Sequence, residues 1–181
     1  DEDLDVETWW DLGMNDQTAI WFVQKYKNEI RLIDYYENSS HGLDHYADIL
    51  KNKGYEYSTH ILPHDVKVRE LGNYGKTRLD SLLEFGIVGE VAPKISIEDG
   101  IEAVRKNLVN CWFDKDKCAT GIEYLKAYQK KWDEKAQVFK SKPLHNFASH
   151  CSDAFRTGIV GQGIELSNWE KEVPINTNYI V

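Results

Sequence analysis

Short apolar runs broken by polar or glycine-bearing segments set out the predicted elements. Thr8 to Leu12 (Thr-Trp-Trp-Asp-Leu) reads as a strand rich in aromatic residues, and Gly13 to Asp16 supplies turn residues. Two more strands follow, Gln17 to Lys25 and Glu29 to Tyr36, separated by the polar turn Lys27-Asn28. Connections this short force the three to run antiparallel, because a parallel neighbour needs a crossover of about a dozen residues or more. Such a crossover comes next. Ser40 is placed to cap a helix with Leu43, Tyr46, Ile49 and Leu50 at helical spacing, and Gly54 to end it.

Tyr57 to Pro63 predicts the next strand, which runs into Pro63-His64-Asp65. A polar loop leads to a short helix, Arg78 to Phe85, closed by Gly86, and Ile87 to Ala92 is a fifth strand. Ser96-Ile-Glu-Asp99 has the form of a capping box opening a helix with Ile97, Ile101, Val104 and Leu108 on one face. Gly121 to Trp132 predicts another helix, Lys135 to Pro143 the strands of a small hairpin, and Asn146 to Gly161 a final amphipathic helix. The order implies an α/β fold, a mixed sheet of three antiparallel strands followed by parallel ones, with helices on its faces. The expected division is an acidic leader or linker remnant over 1–8, one domain over 9–161 and a tail over 162–181.

Composition fits one domain: 181 residues, 41% hydrophobic, are enough for one core. No apolar run approaches the roughly 18 to 20 residues a membrane span needs, and no secretory signal is visible. Cys111, Cys118 and Cys151 are odd in number and form no CxxC, so neither a disulfide framework nor a cysteine zinc site is suggested, and a reducing cytoplasmic setting fits. The chain starts in an acidic stretch without an initiator Met, as a piece of a longer protein would. The net charge of −8 argues at first against a nucleic-acid partner. Position changes that picture. Residues 1–16 hold seven acids and no base, residues 165–181 three acids and one Lys, and the body from 17 to 164 has 21 bases against 20 acids.

The candidate chemistry is three carboxylates. If the strand ending at Asp65 pairs parallel with the first, Asp11 and Asp65 lie at the same end of adjacent strands, where sites in open α/β sheets form. Asp153 on the closing helix can converge on them. Clustered carboxylates need a counter-charge, and a pair of hard divalent cations supplies one while assisting phosphodiester hydrolysis. Each residue also has a plain reading: an Asp-turn at Asp11, a Pro-His-Asp turn at Asp65, a surface helix position at Asp153.

Other patterns are poorer. Gly75-Lys76-Thr77 imitates a phosphate-binding loop, but position 70, where the first glycine belongs, is Glu70. His41 and His45 share helical spacing, whereas His60 and His64 fall on a strand and its end, too far apart for one ion, so zinc is not indicated. Asp114-Lys-Asp116 lacks the Gly and Glu of a calcium loop. Lys67, Arg69, Lys76 and Arg78 are candidates for DNA phosphate contacts, with solvated surface charge the bland reading. The six lysines from Lys126 to Lys142 are read mainly as a solvated face, with a DNA track as the alternative.

Trp10-Asp11-Leu12-Gly13 with Asp16, Leu62-Pro63-His64-Asp65, and His150-Cys-Ser-Asp153-Ala-Phe-Arg156 occur in order on the predicted elements. Together they resemble the three acidic motifs of the nuclease domain of large terminase subunits from tailed double-stranded DNA phages. Ser96 to Ile101 with Val104-Arg105 is similar to a helix of that family, and the resemblance spans about residues 9–160. It implies a ribonuclease H-like fold and an endonuclease that cuts concatemeric viral DNA during packaging with two Mg²⁺ or Mn²⁺ ions. By it, Asp11 bridges the metals, Asp65 and Asp153 each complete one metal's shell, and Asp16 is accessory. It also implies an ATPase domain, a small terminase subunit and a portal protein as partners, in the host cell cytoplasm. The alternatives are another ribonuclease H-like nuclease, such as a RuvC-type junction resolvase or an RNase H, and a non-catalytic acidic module that binds a metal or a protein.

Overall fold

The computed structural model of the chain describes residues 1–13, 17–69 and 75–163. In chain order the strands are β1 (Val6–Asp11), β2 (Gln17–Tyr26), β3 (Glu29–Ser39), β4 (Tyr57–Leu62), β5 (Gly89–Val91), β6 (Cys111–Phe113), β7 (Lys130–Asp133) and β8 (Val138–Pro143). The helices are α1 (Leu43–Lys53), α2 (Arg78–Glu84), α3 (Ile97–Asn107), α4 (Ala119–Ala127) and α5 (Ser149–Gly161). Six strands form one sheet in the order β5-β4-β1-β2-β3-β6, and β7 and β8 form a separate hairpin. β1, β2 and β3 pair antiparallel, while β4 runs parallel to β1 as expected, with β5 parallel beyond it.

Alternation along β1 and β2 sends consecutive side chains to opposite faces, so both faces are buried. Trp9 and Trp21 join Phe155 and Ile159 under α5. Trp10, Ile20 and Phe22 join Tyr46, Leu50 and Leu82 on the face carrying α1 and α2. Trp9, Trp10 and Trp21 are fully buried. Among the described residues no helix is long and apolar enough to cross a membrane.

Several elements differ from expectation. β1 starts at Val6 rather than Thr8, and β3 runs on to Ser39 because β2 offers it a partner residue as far as Gln17. Ser40 therefore turns the chain at φ 62 instead of capping a helix, and Gly42 caps α1. Ser96 does cap α3, its hydroxyl accepting from Asp99 N–H at 3.0 Å. The helix expected over Gly121 to Trp132 occupies Ala119–Ala127, and the hairpin starts earlier, at Lys130, because Trp132 pairs across strands with Phe139. Short strand β6, parallel on the outer edge of β3, was not anticipated. Three residues carry too little alternation to announce a strand.

α5 lies on the sheet at unusually close range. The Phe155 ring meets Trp9 and Trp21 edge to face at 5.4 and 5.7 Å, and the Trp21 indole donates to the Cys151 carbonyl at 3.0 Å. A Cβ on Gly158 would fall 1.8 Å from the Trp9 ring, and one on Gly161 would fall 2.2 Å from Ile61. Gly158→Ala is therefore expected to push α5 off β1 and to cost about 1–3 kcal/mol or more, measured by urea denaturation. An unchanged midpoint would contradict this packing.

Candidate active site

Asp11 is the last residue of the central strand β1, and its side chain is on the α5 face, in register with Trp9. It is 21% exposed and accepts a hydrogen bond from His150 Nδ1, in the first turn of α5, at 2.9 Å. Asp153 stands three residues further along α5, on the same side of the helix as His150. The guanidinium of Arg156, another three residues on, lies 3.0 Å from its carboxylate. Burial pushes the Asp153 carboxyl up to about 6. Arg156 opposes that rise, the negative charge of Asp11 adds to it, and His150 and His145 pull it back. The two carboxylates thus face one another electrostatically.

Arg156 is held in place from three sides. Gly100 in α3 leaves room for its stem, since a Cβ there would come 2.5 Å from Cδ. The Tyr128 hydroxyl also meets it, and Tyr128 is raised to about 12, chiefly by burial. Sequence reasoning gave no role to His150, Arg156 or Gly100. Their signal was there to read: His150, Asp153 and Arg156 recur every three residues on one side of a helix.

Asp65 sits in a 3-10 turn, His64–Lys67, just past the end of β4, which runs parallel to β1. The turn is pinned by Val66, which is fully buried, and it leaves Asp65 exposed. Asp65 and Asp11 therefore share the sheet edge predicted for them, but Asp65 does not join the pair that Asp11 makes with α5. Among the described residues no group of three or more His, Cys, Asp and Glu side chains is gathered to hold a metal ion. In donor chemistry the site suits a hard cation, being two carboxylates whose mutual repulsion a divalent ion would offset. Asp16 and Glu70 lie outside the described residues.

The four candidate phosphate contacts fall in different roles. Lys67 and Arg69 are exposed, and Arg69 forms an isolated antiparallel bridge to Thr77. Lys76 pairs with Glu84 at 2.5 Å on the surface, an exposed ion pair of little energetic weight. Arg78 is half-buried and donates to the Leu12 carbonyl at 2.8 Å, fastening α2 to the chain just after Asp11.

The fold has counterparts among solved structures. The nuclease domain of the P22 large terminase matches it with a TM-score of 0.65 at 20% identity, over 90% of this chain and 83% of that one. The nuclease domain of g2p, the large terminase of bacteriophage SPP1, solved with bound Mn, gives 0.61 at 21% identity, over 84% of each. A longer large terminase chain from a thermophilic bacteriophage gives 0.63 at 19%, over 86% of this chain but 39% of that one. The class so defined is the ribonuclease H-like fold of large terminase nuclease domains. This chain spans about two fifths of the length of that longer terminase. No family model and no curated protein matches the sequence.

In the metal-free protein the Asp153 carboxyl is expected to titrate at about pH 6 by ¹³C NMR. Asp11→Asn should lower that value, because a negative neighbour disfavours ionisation, and Arg156→Gln should raise it. Identical values in all three proteins would show that neither group faces Asp153.

Proposed function

We propose that the chain is a metal-dependent endonuclease that cleaves concatemeric double-stranded viral DNA during genome packaging. The observation that carries this reading is the meeting of Asp11, at the end of the central strand, with the His150 and Asp153 side of α5. The fold it shares with terminase nuclease domains supports it, as does the bound Mn of the SPP1 domain and the cobalt of the G20c nuclease.

In this reading Asp11 and Asp153 would offer carboxylate oxygens to two divalent cations, Mg²⁺ or Mn²⁺, and Asp65, in the turn after β4, would complete the set. The chemistry that such ions supply when bound is activation of the attacking water and compensation of charge building on the phosphate. The rest belongs to the chain. His150 Nδ1 donates to Asp11 and fixes its orientation; Arg156 offsets the charge of Asp153; Arg78 anchors the Leu12 carbonyl and with it the end of β1. Lys67, Arg69 and Lys76 would meet DNA phosphates, and Asp16 would be an accessory carboxylate. The corresponding partners are an ATPase domain, a small terminase subunit and a portal protein in the host cytoplasm. The longer terminase from the thermophilic bacteriophage is described in complex with ATP-gamma-S, which supports a motor partner.

Plasmid digestion with Mn²⁺ or Mg²⁺ tests the reading. The chain is expected to nick and linearise the plasmid, and Asp11→Asn, Asp65→Asn and Asp153→Asn should each lower the rate at least about a hundredfold with the melting temperature kept. Full activity in the Asp65 and Asp153 variants would remove the three-carboxylate assignment, and a metal-induced stability shift without cleavage would favour a non-catalytic module.

A further inference from the structure

The hairpin of β7 and β8 is packed into neither face of the main sheet. From Gln129 to Lys142 every residue is exposed except Asp133, which is half-buried. On this ribbon Trp132 and Phe139 lie directly across from one another with rings 4.8 Å apart, yet they remain 43% and 62% exposed. Leaving a large aromatic pair in water costs the free energy that burial would return, so the pair points to a partner. Charge identifies the kind of partner. The hairpin carries five lysines against Asp133 and Glu134. Only Lys140 is paired, to Asp133 at 3.1 Å, and Lys130, Lys131, Lys135 and Lys142 make no ion pair among the described residues.

The ribbon is also fastened next to the carboxylates. Its base is closed by a hydrogen bond from Leu144 N–H to the Gln129 carbonyl at 2.8 Å. The next residue, His145, meets the ring of His150 at 5.6 Å, and His150 holds Asp11. At about 3.3 Å per residue the strands project roughly 15 Å from that base. The major groove of a duplex, about 12 Å wide, admits a two-stranded ribbon.

The geometry points to the hairpin as a DNA-contacting arm of the candidate active site: its lysines take backbone phosphates, and the Trp132 and Phe139 rings lie against bases or sugars in the groove. This rests on the duplex-cleaving reading above. It moves the weight of DNA contact from the loop around Lys76, where Lys76 is tied to Glu84, to a ribbon that the charge pattern alone left as a solvated face.

Two variants separate charge from stacking. Both alter exposed side chains and should keep the melting temperature of the parent chain. Binding of a 30-base-pair duplex is followed by fluorescence anisotropy from about 50 to 200 mM salt, beside plasmid nicking in Mn²⁺. Lys130→Ala with Lys131→Ala and Lys142→Ala should flatten the slope of log affinity against log salt by about two to three, since each lost phosphate contact removes about 0.9. Trp132→Ala with Phe139→Ala should weaken binding about tenfold with the slope unchanged. If the parent chain binds and nicks DNA while both variants match it in affinity and slope, the arm is refuted and the nuclease reading stands. A parent chain that neither binds nor nicks duplex DNA overturns both. Loss of self-association in the aromatic variant with DNA binding intact assigns the ring pair to a protein contact and also overturns the arm.

Discussion

The absence of a side chain at Gly158 lets the backbone of α5 rest on the indole of Trp9, and the remaining geometry of the site follows from that contact. Trp9 is two residues before Asp11 on the same face of β1, so whatever sits on Trp9 also fixes what stands over Asp11. On the helix, His150 and Asp153 precede Gly158 by eight and five residues, about 12 and 7.5 Å along the axis at 1.5 Å per residue. Phe155 locks the rotation of the helix between Trp9 and Trp21, and the Trp21 indole holds the Cys151 carbonyl. Gly121 is shaped by the same aromatic layer, since a Cβ there would fall 2.3 Å from the Trp21 ring. Tight packing of large rings against glycine is thus what brings the imidazole of His150 within 2.9 Å of a strand-end carboxylate.

Charge is handled locally rather than by overall balance. The charge of Asp11 disfavours ionisation of Asp153, and the chain sets His150 against the first and Arg156 against the second. Arg156 in turn depends on Gly100, which admits its stem between α3 and α5. The site therefore holds its carboxylates in place with an imidazole and a guanidinium while leaving both carboxylates partly exposed to solvent. The net charge of −8 reflects mainly the first sixteen residues and the last seventeen, and the solvent-exposed β7-β8 hairpin is basic.

Strand order was legible because short turns dictate antiparallel pairing and a helical crossover dictates a parallel return, which placed β4 beside β1 and so Asp65 at the same edge as Asp11. The helix carrying Asp153 was legible from its apolar spacing. What escaped the sequence was decided by partners distant along the chain. β6 exists only because β3 offers an edge, and the end of α4 was overruled by the pairing of Trp132 with Phe139. Ser40 has the chemistry of a cap, yet the long β2-β3 ribbon claims the residues up to Ser39 and leaves it in a turn. At the site, the carboxylates on β1 and α5 were visible as motif positions, whereas Arg78 looked like a surface cation and instead fastens the Leu12 carbonyl.

The proposed nuclease function requires the packing of α5 on β1 to place Asp11 and Asp153 around one shared cation-binding position. Crystals of the chain grown with Mn²⁺, with an anomalous difference map collected at a wavelength where manganese scatters strongly, test it directly. The account predicts a peak bonded to oxygens of both Asp11 and Asp153, with Asp65 drawn onto a second. A map with no peak between the two carboxylates, or with manganese bound only at other side chains, would contradict it.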